Sequence, residues 1–324
     1  MMVVGTSAAS FPDVTEKDNV EAIEVLAAVK VLQGRDDGSF DPTATVTRNE
    51  MATIICRMMG WRDGDFAGLN PFPDVPAWAS NYVAACVANG IINGRDDGRF
   101  HGDDTVTATE AASMMLRALG YTRMPVGAAW AQAVAQQASK INLFDGLDVG
   151  AYTAMNRGDV AQLALNTLES TMVTSENGST VTIGDISVTN DVKYNDRLGT
   201  AAKYKAFNDD PVDGKYTLEL GEDTFDGKLK KSSDTDEFGR PGTKWTYKGD
   251  DVNVYADEAD KSMILNKNLN ADKVLVTDSD YFDYDDEDID AKITVSVNGT
   301  ESASKKSDLA GLTLRAGDET EVYE

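Results

Sequence analysis

One arginine stands at a place where a sequence selected only for helix stability would carry an acid. Thr47-Arg48-Asn49-Glu50 matches the S/T-x-x-E capping box, so Arg48 is predicted to lie in the first turn of a helix. A cation in that turn faces the positive end of the helix dipole, which costs about 0.3–1 kcal/mol. Combined with free backbone N–H groups, however, its guanidinium would make an anion site that holds a carboxylate through two hydrogen bonds. The alternative is a surface arginine that happens to lie beside a helix cap.

Several other polar and aromatic residues have a structural interpretation beside a binding one. Asp13 and Asp74 each precede a predicted helix, where capping or turn hydrogen bonds are the default. Trp78 and Trp130 could stack on the C–H face of a sugar ring, or they could equally belong to a core. Three acids in the first turns of predicted helices are best explained as helix caps: Glu50, Glu110 and Asp159.

Residues 278–290, DSDYFDYDDEDID, form the densest acidic stretch of the chain. Hard cations bind several carboxylates at once, which makes calcium the candidate cofactor. The candidate metal ligands are Asp278, Asp280, Asp283, Asp285 and Asp286. The stretch lacks the order of an EF-hand, with no glycine at the sixth loop position, so a solvated acidic loop is the favoured interpretation. No other cofactor is expected.

The whole chain is strongly acidic, with a net charge of −25 over 324 residues. Such a chain repels phosphate backbones and anionic lipid, which argues against nucleic-acid and membrane-surface partners. A hydrophobic share of 41% is enough for ordinary cores. No run of about 18 apolar residues is present, so no transmembrane segment is predicted. Cys56 and Cys86 are too few for a disulfide framework and have no metal-ligand spacing, so we predict buried reduced thiols.

The first half of the chain contains an internal repeat. Three motifs recur in the same order about 60 residues later: FPDV at 11–14 and 72–75, GRDDGSF at 34–40 and GRDDGRF at 94–100, and VTRNE at 46–50 and VTATE at 106–110. Each unit is predicted to hold two amphipathic helices joined by a turn in which Gly38 or Gly98 takes the left-handed conformation.

A third, degenerate copy follows. The segment around Trp130 parallels that around Trp78, and Asn156-Arg157-Gly158-Asp159 precedes a helix as VTRNE does. The turn motif has decayed to DGLDVGAY. Three helix pairs, each with an exposed apolar face, can bury those faces only against one another, which predicts a compact pseudo-threefold bundle.

The order F-x-D-V, helix, G-x-x-D-G-x-F, T-R-x-E, helix resembles the S-layer homology (SLH) domain over about half the chain. The resemblance implies ligand grooves between neighbouring repeats, which bind a secondary cell-wall polysaccharide ending in a pyruvate ketal, or peptidoglycan itself. It also implies that the arginine of T-R-x-E contacts the acidic sugar, which corresponds here to Arg48 and Arg157. Repeat two has Ala108 at that place, so at most two grooves keep the cation. Asp13 and Asp74 become candidate groove residues.

From about residue 173 the pattern changes to short β-rich segments separated by turn signals such as Asp213-Gly214 and Asp226-Gly227. The predicted fold class is therefore multidomain, with a pseudo-threefold helical bundle followed by all-β, sandwich-like domains. The expected organisation is a leader remnant at 1–10, SLH repeats at 11–61, 70–121 and 122–170, a β-rich domain at 173–262, and a truncated second one at 263–324.

The function that these features favour is non-covalent anchoring of a secreted, non-enzymatic protein to the bacterial cell surface. Self-association in a surface lattice is a further expectation. An SLH-anchored surface enzyme, such as a glycoside hydrolase, or an adhesin is the alternative. Because the β-rich half has no nucleophile elbow, HExxH or glycine-rich phosphate loop, such an active region is expected only in additional C-terminal sequence.

Overall fold

The computed structural model describes residues 11–257 apart from 16, 63, 125–126, 177–179, 184–185, 190–191, 208–210, 212 and 236–240, together with six short strand segments after residue 257. The chain divides into two compact units. The first consists of Met1–Lys230 and Thr246–Val252, and the second of Lys231–Trp245 and Asn253–Glu324.

The first unit opens with six α-helices. They are α1 (Val20–Ala28), α2 (Arg48–Met58), α3 (Ala77–Ala88), α4 (Ala108–Ala118), α5 (Trp130–Lys140) and α6 (Arg157–Glu169). Sequence and local physics explain their ends. Capping boxes open α2 and α4 at Thr47 and Thr107. Gly60 and Gly120, both with positive φ, follow the last turns of the same two helices, where only a residue without a Cβ adopts the left-handed conformation at little cost.

The second helix of each repeat packs against the first helix of the next one. The contacting pairs are α2 with α3, α4 with α5, and α6 with α1. Each amphipathic helix thus buries its apolar face between repeats, as the sequence pattern predicts. The fully buried side chains include Ile23, Leu26, Met51, Ile55, Met58, Met115 and Leu116.

A ring of backbone hydrogen bonds lies at the centre of the helices. Val46 N–H donates to Met155 O at 2.9 Å, Met155 N–H donates to Val106 O at 2.9 Å, and Val106 N–H donates to Val46 O at 3.0 Å. Each residue therefore donates to one neighbour and accepts from the other. The three segments that precede α2, α4 and α6 form a closed, pseudo-threefold arrangement.

β-structure follows the helices, which confirms the predicted order of α then β. The strands of the first unit, or shared between the units, are β1 (Val173–Glu176), β2 (Thr180–Ile183), β3 (Ile186–Thr189), β4 (Lys193–Asp196), β5 (Leu198–Gly199), β6 (Tyr216–Thr217), β7 (Leu229–Thr235), β8 (Pro241–Tyr247) and β9 (Asp250–Ala256). Antiparallel pairing joins β1 to β4, β2 to β3 and β5 to β6, and β7, β8 and β9 form one sheet in that order. A short helix, α7 (Leu220–Thr224), follows β6.

The described strands of the second unit after residue 257 are β10 (Lys261–Ile264), β11 (Leu269–Asn270), β12 (Val295–Val297), β13 (Thr300–Ala303), β14 (Thr313–Leu314) and β15 (Glu319–Val322). They pair as β10 with β15, β11 with β14, and β12 with β13. The described sheets contain two or three strands, and face-to-face sandwich packing stays a prediction. The division into domains at residues 172 and 262 also stays a prediction.

Two local predictions have clear outcomes. The turns at Asp213-Gly214 and Asp226-Gly227 are confirmed, since all four residues have positive φ. Both cysteines are buried, as predicted.

Candidate functional site

Arg48 is the first residue of α2, where the sequence places it. The capping box is complete, because Thr47 N–H donates to Glu50 Oε2 at 2.8 Å and Glu50 N–H donates to Thr47 Oγ1 at 3.3 Å. The same reciprocal bonds join Thr107 and Glu110. The cap interpretation of Glu50 and Glu110 is therefore confirmed. At α6 the cap is Asn156, whose Oδ1 accepts from Asp159 N–H at 2.8 Å.

The backbone N–H groups at these helix starts are occupied, contrary to the sequence expectation of a free anion cradle. Arg48 N–H donates to Asp104 O at 3.0 Å and Asn49 N–H donates to Gly102 O at 2.9 Å. The loop of the following repeat supplies both carbonyls. Equivalent bonds occupy the N–H groups of the first two residues of α4 and α6. Any anion at these helices must therefore be bound by side chains.

The Arg48 side chain reaches into the loop of repeat two. Its Nε donates to Phe100 O and its Nη2 to Asn93 O, both at 3.1 Å, and the guanidinium lies 4.7 Å from the centroid of the Phe100 ring. Only 8% of the side chain is exposed. Burial lowers the pKa of Arg48, while Glu110 opposes that shift, with Oε1 lying 3.9 Å from Nη1. The guanidinium stays charged, because arginine is not deprotonated in proteins.

Arg157 repeats this geometry between repeat three and repeat one. Its Nε donates to Phe40 O at 2.8 Å and its Nη2 to Gln33 O at 2.9 Å, and its guanidinium lies 4.5 Å from the Phe40 ring centroid. Burial lowers the pKa of Arg157 as well. Arg157 is only half-buried, however, so its guanidinium is more accessible than that of Arg48.

The loops that receive these arginines are held by Asp13 and Asp74. The two oxygens of Asp13 accept from Phe40 N–H at 2.8 Å and Asp41 N–H at 2.6 Å. Asp74 accepts from Phe100 N–H at 2.9 Å and His101 N–H at 2.8 Å. Both aspartates therefore have a structural role, but they bond N–H groups 26 to 28 residues away rather than capping a helix or closing a local turn. Asp74 is linked to Arg48 through Phe100, and Asp13 is linked to Arg157 through Phe40.

These hydrogen bonds also affect the ionisation of the two carboxyl groups. The bond from Phe40 N–H is the main cause of the lowered pKa of Asp13. At Asp74 desolvation opposes the shift, but the backbone N–H groups together lower the pKa below its usual value. Both aspartates are thus held in the charged form, one at each arginine-containing interface.

A second arginine at each interface was missed by the sequence reasoning. Arg95 forms an ion pair with Asp104 at 2.9 Å, and Arg35 forms one with Asp41 at 2.8 Å. Both side chains are almost half exposed. Arg95 is close enough to lower the pKa of Arg48, and Arg35 does the same to Arg157. The signal was available, since both are the arginine of the repeated GRDDGxF motif.

We name the two sites by the arginine that begins each helix, and we use the word groove for the residues around it. The Arg48 groove contains Arg48, Arg95, Phe100, Asp104 and Glu110. The Arg157 groove contains Arg157, Arg35, Phe40 and Asp41. At the third interface, here called the Ala108 interface, α4 begins with an alanine that is 1% exposed.

The two candidate tryptophans lie at the starts of α3 and α5. Trp78 has 56% of its surface exposed, so the core interpretation is wrong for this residue. Trp130 is partly exposed. Stacking of either ring on a sugar stays a prediction.

The candidate calcium ligands, Asp278, Asp280, Asp283, Asp285 and Asp286, lie outside the described residues. Within the described ranges, His, Cys, Asp and Glu side chains nowhere gather in threes with a geometry suited to a metal ion. Every helix in the described part of the chain is too short or too polar to cross a bilayer.

Comparison with known proteins adds a family to this geometry. The family model of the S-layer homology domain matches residues 10–52 and 71–112. The cell surface protein of Thermoanaerobacter kivui is 30% identical over 56% of this chain, the middle cell wall protein of Brevibacillus brevis is 28% identical over 47%, and the amylopullulanase of Thermoanaerobacterium thermosulfurigenes is 29% identical over 42%. The matched regions cover 24%, 15% and 8% of those proteins, so the chain spans less than a quarter of any of them.

The two matched segments include the FPDV, GRDDGxF and VTxxE motifs of the first two repeats. The structure joins these motifs through the hydrogen bonds of Asp13, Asp74 and Arg48. Motifs, contacts and matches agree, and residues 10–52 and 71–112 match the S-layer homology domain.

Proposed function

We propose that the protein anchors itself non-covalently to the bacterial cell wall by binding an acidic, pyruvylated secondary cell-wall polysaccharide in the Arg48 and Arg157 grooves. One observation carries the proposal. At two interfaces between neighbouring repeats, a pair of arginines lies within a strongly acidic chain of net charge −25. Their guanidinium groups contact protein carboxylates and can hold the carboxylate of an anionic ligand by the same charge-assisted bonds.

The two arginines of a groove have different roles in the proposal. The arginine at the start of the helix is held by two backbone carbonyls and a phenylalanine ring, so its remaining N–H groups have a fixed direction. The half-exposed arginine pairs with one aspartate and can exchange it for a ligand carboxylate at small cost, because exposed ion pairs contribute little stability. Together they would recognise a carboxylate by paired, charge-assisted hydrogen bonds.

The Arg157 groove is the stronger candidate. The sequence favoured Arg48, but the structure buries that side chain more deeply than Arg157. The Ala108 interface lacks the buried cation and is proposed not to bind the acidic sugar. Trp78, whose ring is largely exposed, is proposed as a stacking surface for a neighbouring sugar.

The test is co-sedimentation of the protein with purified bacterial cell walls. Because Arg157→Ala also removes donors from the repeat-one loop, each variant is first checked for its melting temperature. The paired variant Arg35→Ala, Arg157→Ala is expected to weaken binding at least tenfold, a loss of about 1.4 kcal/mol. Arg117→Ala is the matched control. This half-buried arginine also donates to a backbone carbonyl, that of Ile91 at 3.0 Å. It lies in the last turn of α4, outside the proposed binding site. Equal losses of wall binding in the paired variant and in Arg117→Ala would contradict the proposed site.

Walls stripped of attached polysaccharide by acid separate the two polymer ligands. Loss of binding on stripping is the expected result. Undiminished binding to stripped walls would indicate peptidoglycan, and no binding to either preparation by the folded protein would overturn the anchoring function.

We propose further that this chain is not itself an enzyme. The alternative of an SLH-anchored enzyme has support from relatives named amylopullulanase and exoglucanase XynX, each 14% or less covered by the match. Assays of this chain on pullulan, xylan and cellulose are expected to give no hydrolysis, and turnover by the purified chain would overturn this proposal.

A further inference from the structure

The two cysteines of the protein come from different repeats and meet at one helix–helix interface. Cys56 lies near the end of α2, which belongs to repeat one, and Cys86 lies near the end of α3, which belongs to repeat two. They are 30 residues apart in the chain, yet their Sγ atoms are separated by only 3.8 Å. Packing of α2 against α3 brings them together.

Each thiol points across the interface toward the opposite helix. The Sγ of Cys56 donates to the carbonyl oxygen of Tyr82 at 3.3 Å, four residues before Cys86. The Sγ of Cys86 donates to the carbonyl oxygen of Ala52 at 3.5 Å, four residues before Cys56. The arrangement is therefore reciprocal. The buried Ala52 and Ala85 keep the helices close, since small side chains permit a short interhelical distance.

We propose that Cys56 and Cys86 form a disulfide that joins repeat one to repeat two covalently. Closing the Sγ–Sγ distance from 3.8 Å to the bonded value requires a movement of about 1.8 Å. Changes of side-chain rotamer at two cysteines that already face each other can supply that movement. The location supports the proposal too, because disulfides persist in the oxidising conditions outside the cell.

The bond would form by thiol–disulfide exchange with an external disulfide. The thiolate of one cysteine attacks a sulfur of that disulfide, forming a mixed disulfide and releasing one thiol. The thiolate of the second cysteine then attacks the protein sulfur of the mixed disulfide and releases the second thiol. The two cysteines lose two protons and two electrons, and the external disulfide is reduced to two thiols.

Burial determines when this exchange takes place. Cys56 is 2% exposed and Cys86 is fully buried, so an external disulfide has no access to them in the folded protein. The hydrogen bond with Cys56 and burial both raise the pKa of the Cys86 thiol, which disfavours the reactive thiolate. The bond therefore forms while the chain is folding and is protected from reduction afterwards.

The cross-link would fix the Arg48 groove. Arg48 and Cys56 lie on the same helix, and Arg48 reaches into the loop of the repeat that carries Cys86. A covalent bond between α2 and α3 would hold the groove together when the protein is pulled or heated. This consequence does not depend on which polymer the groove binds.

The test compares two refolding conditions of the full chain. Denatured, reduced protein is refolded either with oxidised and reduced glutathione or with dithiothreitol. In the glutathione buffer we expect a monomer lighter by two hydrogen atoms, a peptide linking Cys56 to Cys86, and no reaction with a thiol reagent even in denaturant. Its melting temperature is expected to exceed that of the reduced form by roughly 5–10 °C.

The control is Cys56→Ala, which should melt at the same temperature after refolding in either buffer. Two free thiols or only glutathione adducts after oxidative refolding would overturn the proposal. A linked product that melts no higher than the reduced form would overturn it as well, because the bond would then be strained rather than accommodated by the fold.

Discussion

The Arg48 groove and the Ala108 interface have the same backbone and different side chains. In both, the first two N–H groups of a helix donate to carbonyls of the next repeat's loop, Asp104 and Gly102 in one and Thr153 and Ala151 in the other. Only the Arg48 groove has an arginine, a buried phenylalanine and a loop held by an aspartate. The backbone hydrogen bonds that join the repeats therefore form with or without an arginine at the start of the helix.

The Ala108 interface replaces these contacts with smaller ones. Thr109 Oγ1 donates to Ala151 O at 2.7 Å. This side-chain bond lies next to Ala108, the residue that corresponds to Arg48 of repeat one. Ala108 leaves no long side chain between the repeats. The carbonyls of Gly102 and Ala151 occupy equivalent places in the two loops. Val149, two residues before Ala151, therefore corresponds to Phe100, two residues before Gly102.

The largest expected effect comes from Phe100→Ala. Phe100 is fully buried and contacts both Arg48 and Phe72, so its removal should lower the free energy of unfolding by about 3–5 kcal/mol. Val149→Ala, at the corresponding and partly exposed place, should cost about 1 kcal/mol or less. Urea unfolding measures both. Similar losses would mean that the two interfaces are equally dependent on their loops.

A second difference concerns acids near repeat three. Next to α6, α7 brings together Glu222, which is fully buried, and Glu219, which is 6% exposed. The Oε2 atoms of both are buried and receive no donor within the described structure. Burial, followed by the hydrogen bond with Glu219, raises the pKa of Glu222 to about 8. Glu222 is therefore protonated at neutral pH.

This pair predicts a loss of stability at alkaline pH. The pKa of Glu222 is 4.5 in the unfolded reference and about 8 in the fold, so its stabilising effect is complete below the first value and lost as pH rises through the second. The upper limit of the slope is about 1.4 kcal/mol per pH unit. Urea unfolding between pH 6 and 8.5 should therefore show a steeper decline for the natural protein than for Glu222→Gln. Parallel curves would contradict the raised pKa of Glu222. Glu176→Gln, at an exposed position of β1, is the control.

The smallest expected effect is loosening of the first two loops in acid. The pKa values of Asp13 and Asp74 are lowered in the fold, so their contribution is present above the unfolded value of 3.8 and lost as pH falls through the folded values. Amide proton shifts of Phe40 and Phe100 should move below pH 3.8 in step with the two carboxyl groups. Among the described residues, no aspartate carboxyl accepts from a backbone N–H of loop 141–153 in repeat three. An equal change there at the same pH would remove the distinction between the loops.

The sequence predicted much of this arrangement because its motifs encode local interactions. Thr47 and Glu50, three residues apart, specify a cap. The recurrence of GRDDGxF predicted a repeated turn. Contacts at longer range hold that turn: Asp13 accepts from Phe40 N–H and Asp41 N–H, and a side chain at Gly34 would collide with the ring of Phe11.

Contacts between repeats were beyond the reach of the sequence pattern. Nothing local indicates that the N–H groups of Arg48 and Asn49 are covered by a loop more than 50 residues away. The prediction of a free anion cradle was wrong for that reason. Tertiary context also changed the segment KYTLEL, which reads as one strand but forms β6 and then the start of α7 at Leu220.

The ring formed by Val46, Val106 and Met155 bears on how such a protein can diverge. Its bonds are made by backbone atoms, which every substitution except proline retains. Mutations can therefore erase the turn motif and the arginine of one copy while the copies stay assembled. Duplication followed by drift can then leave assembled copies of which two begin their second helix with an arginine, Arg48 and Arg157, and one with Ala108.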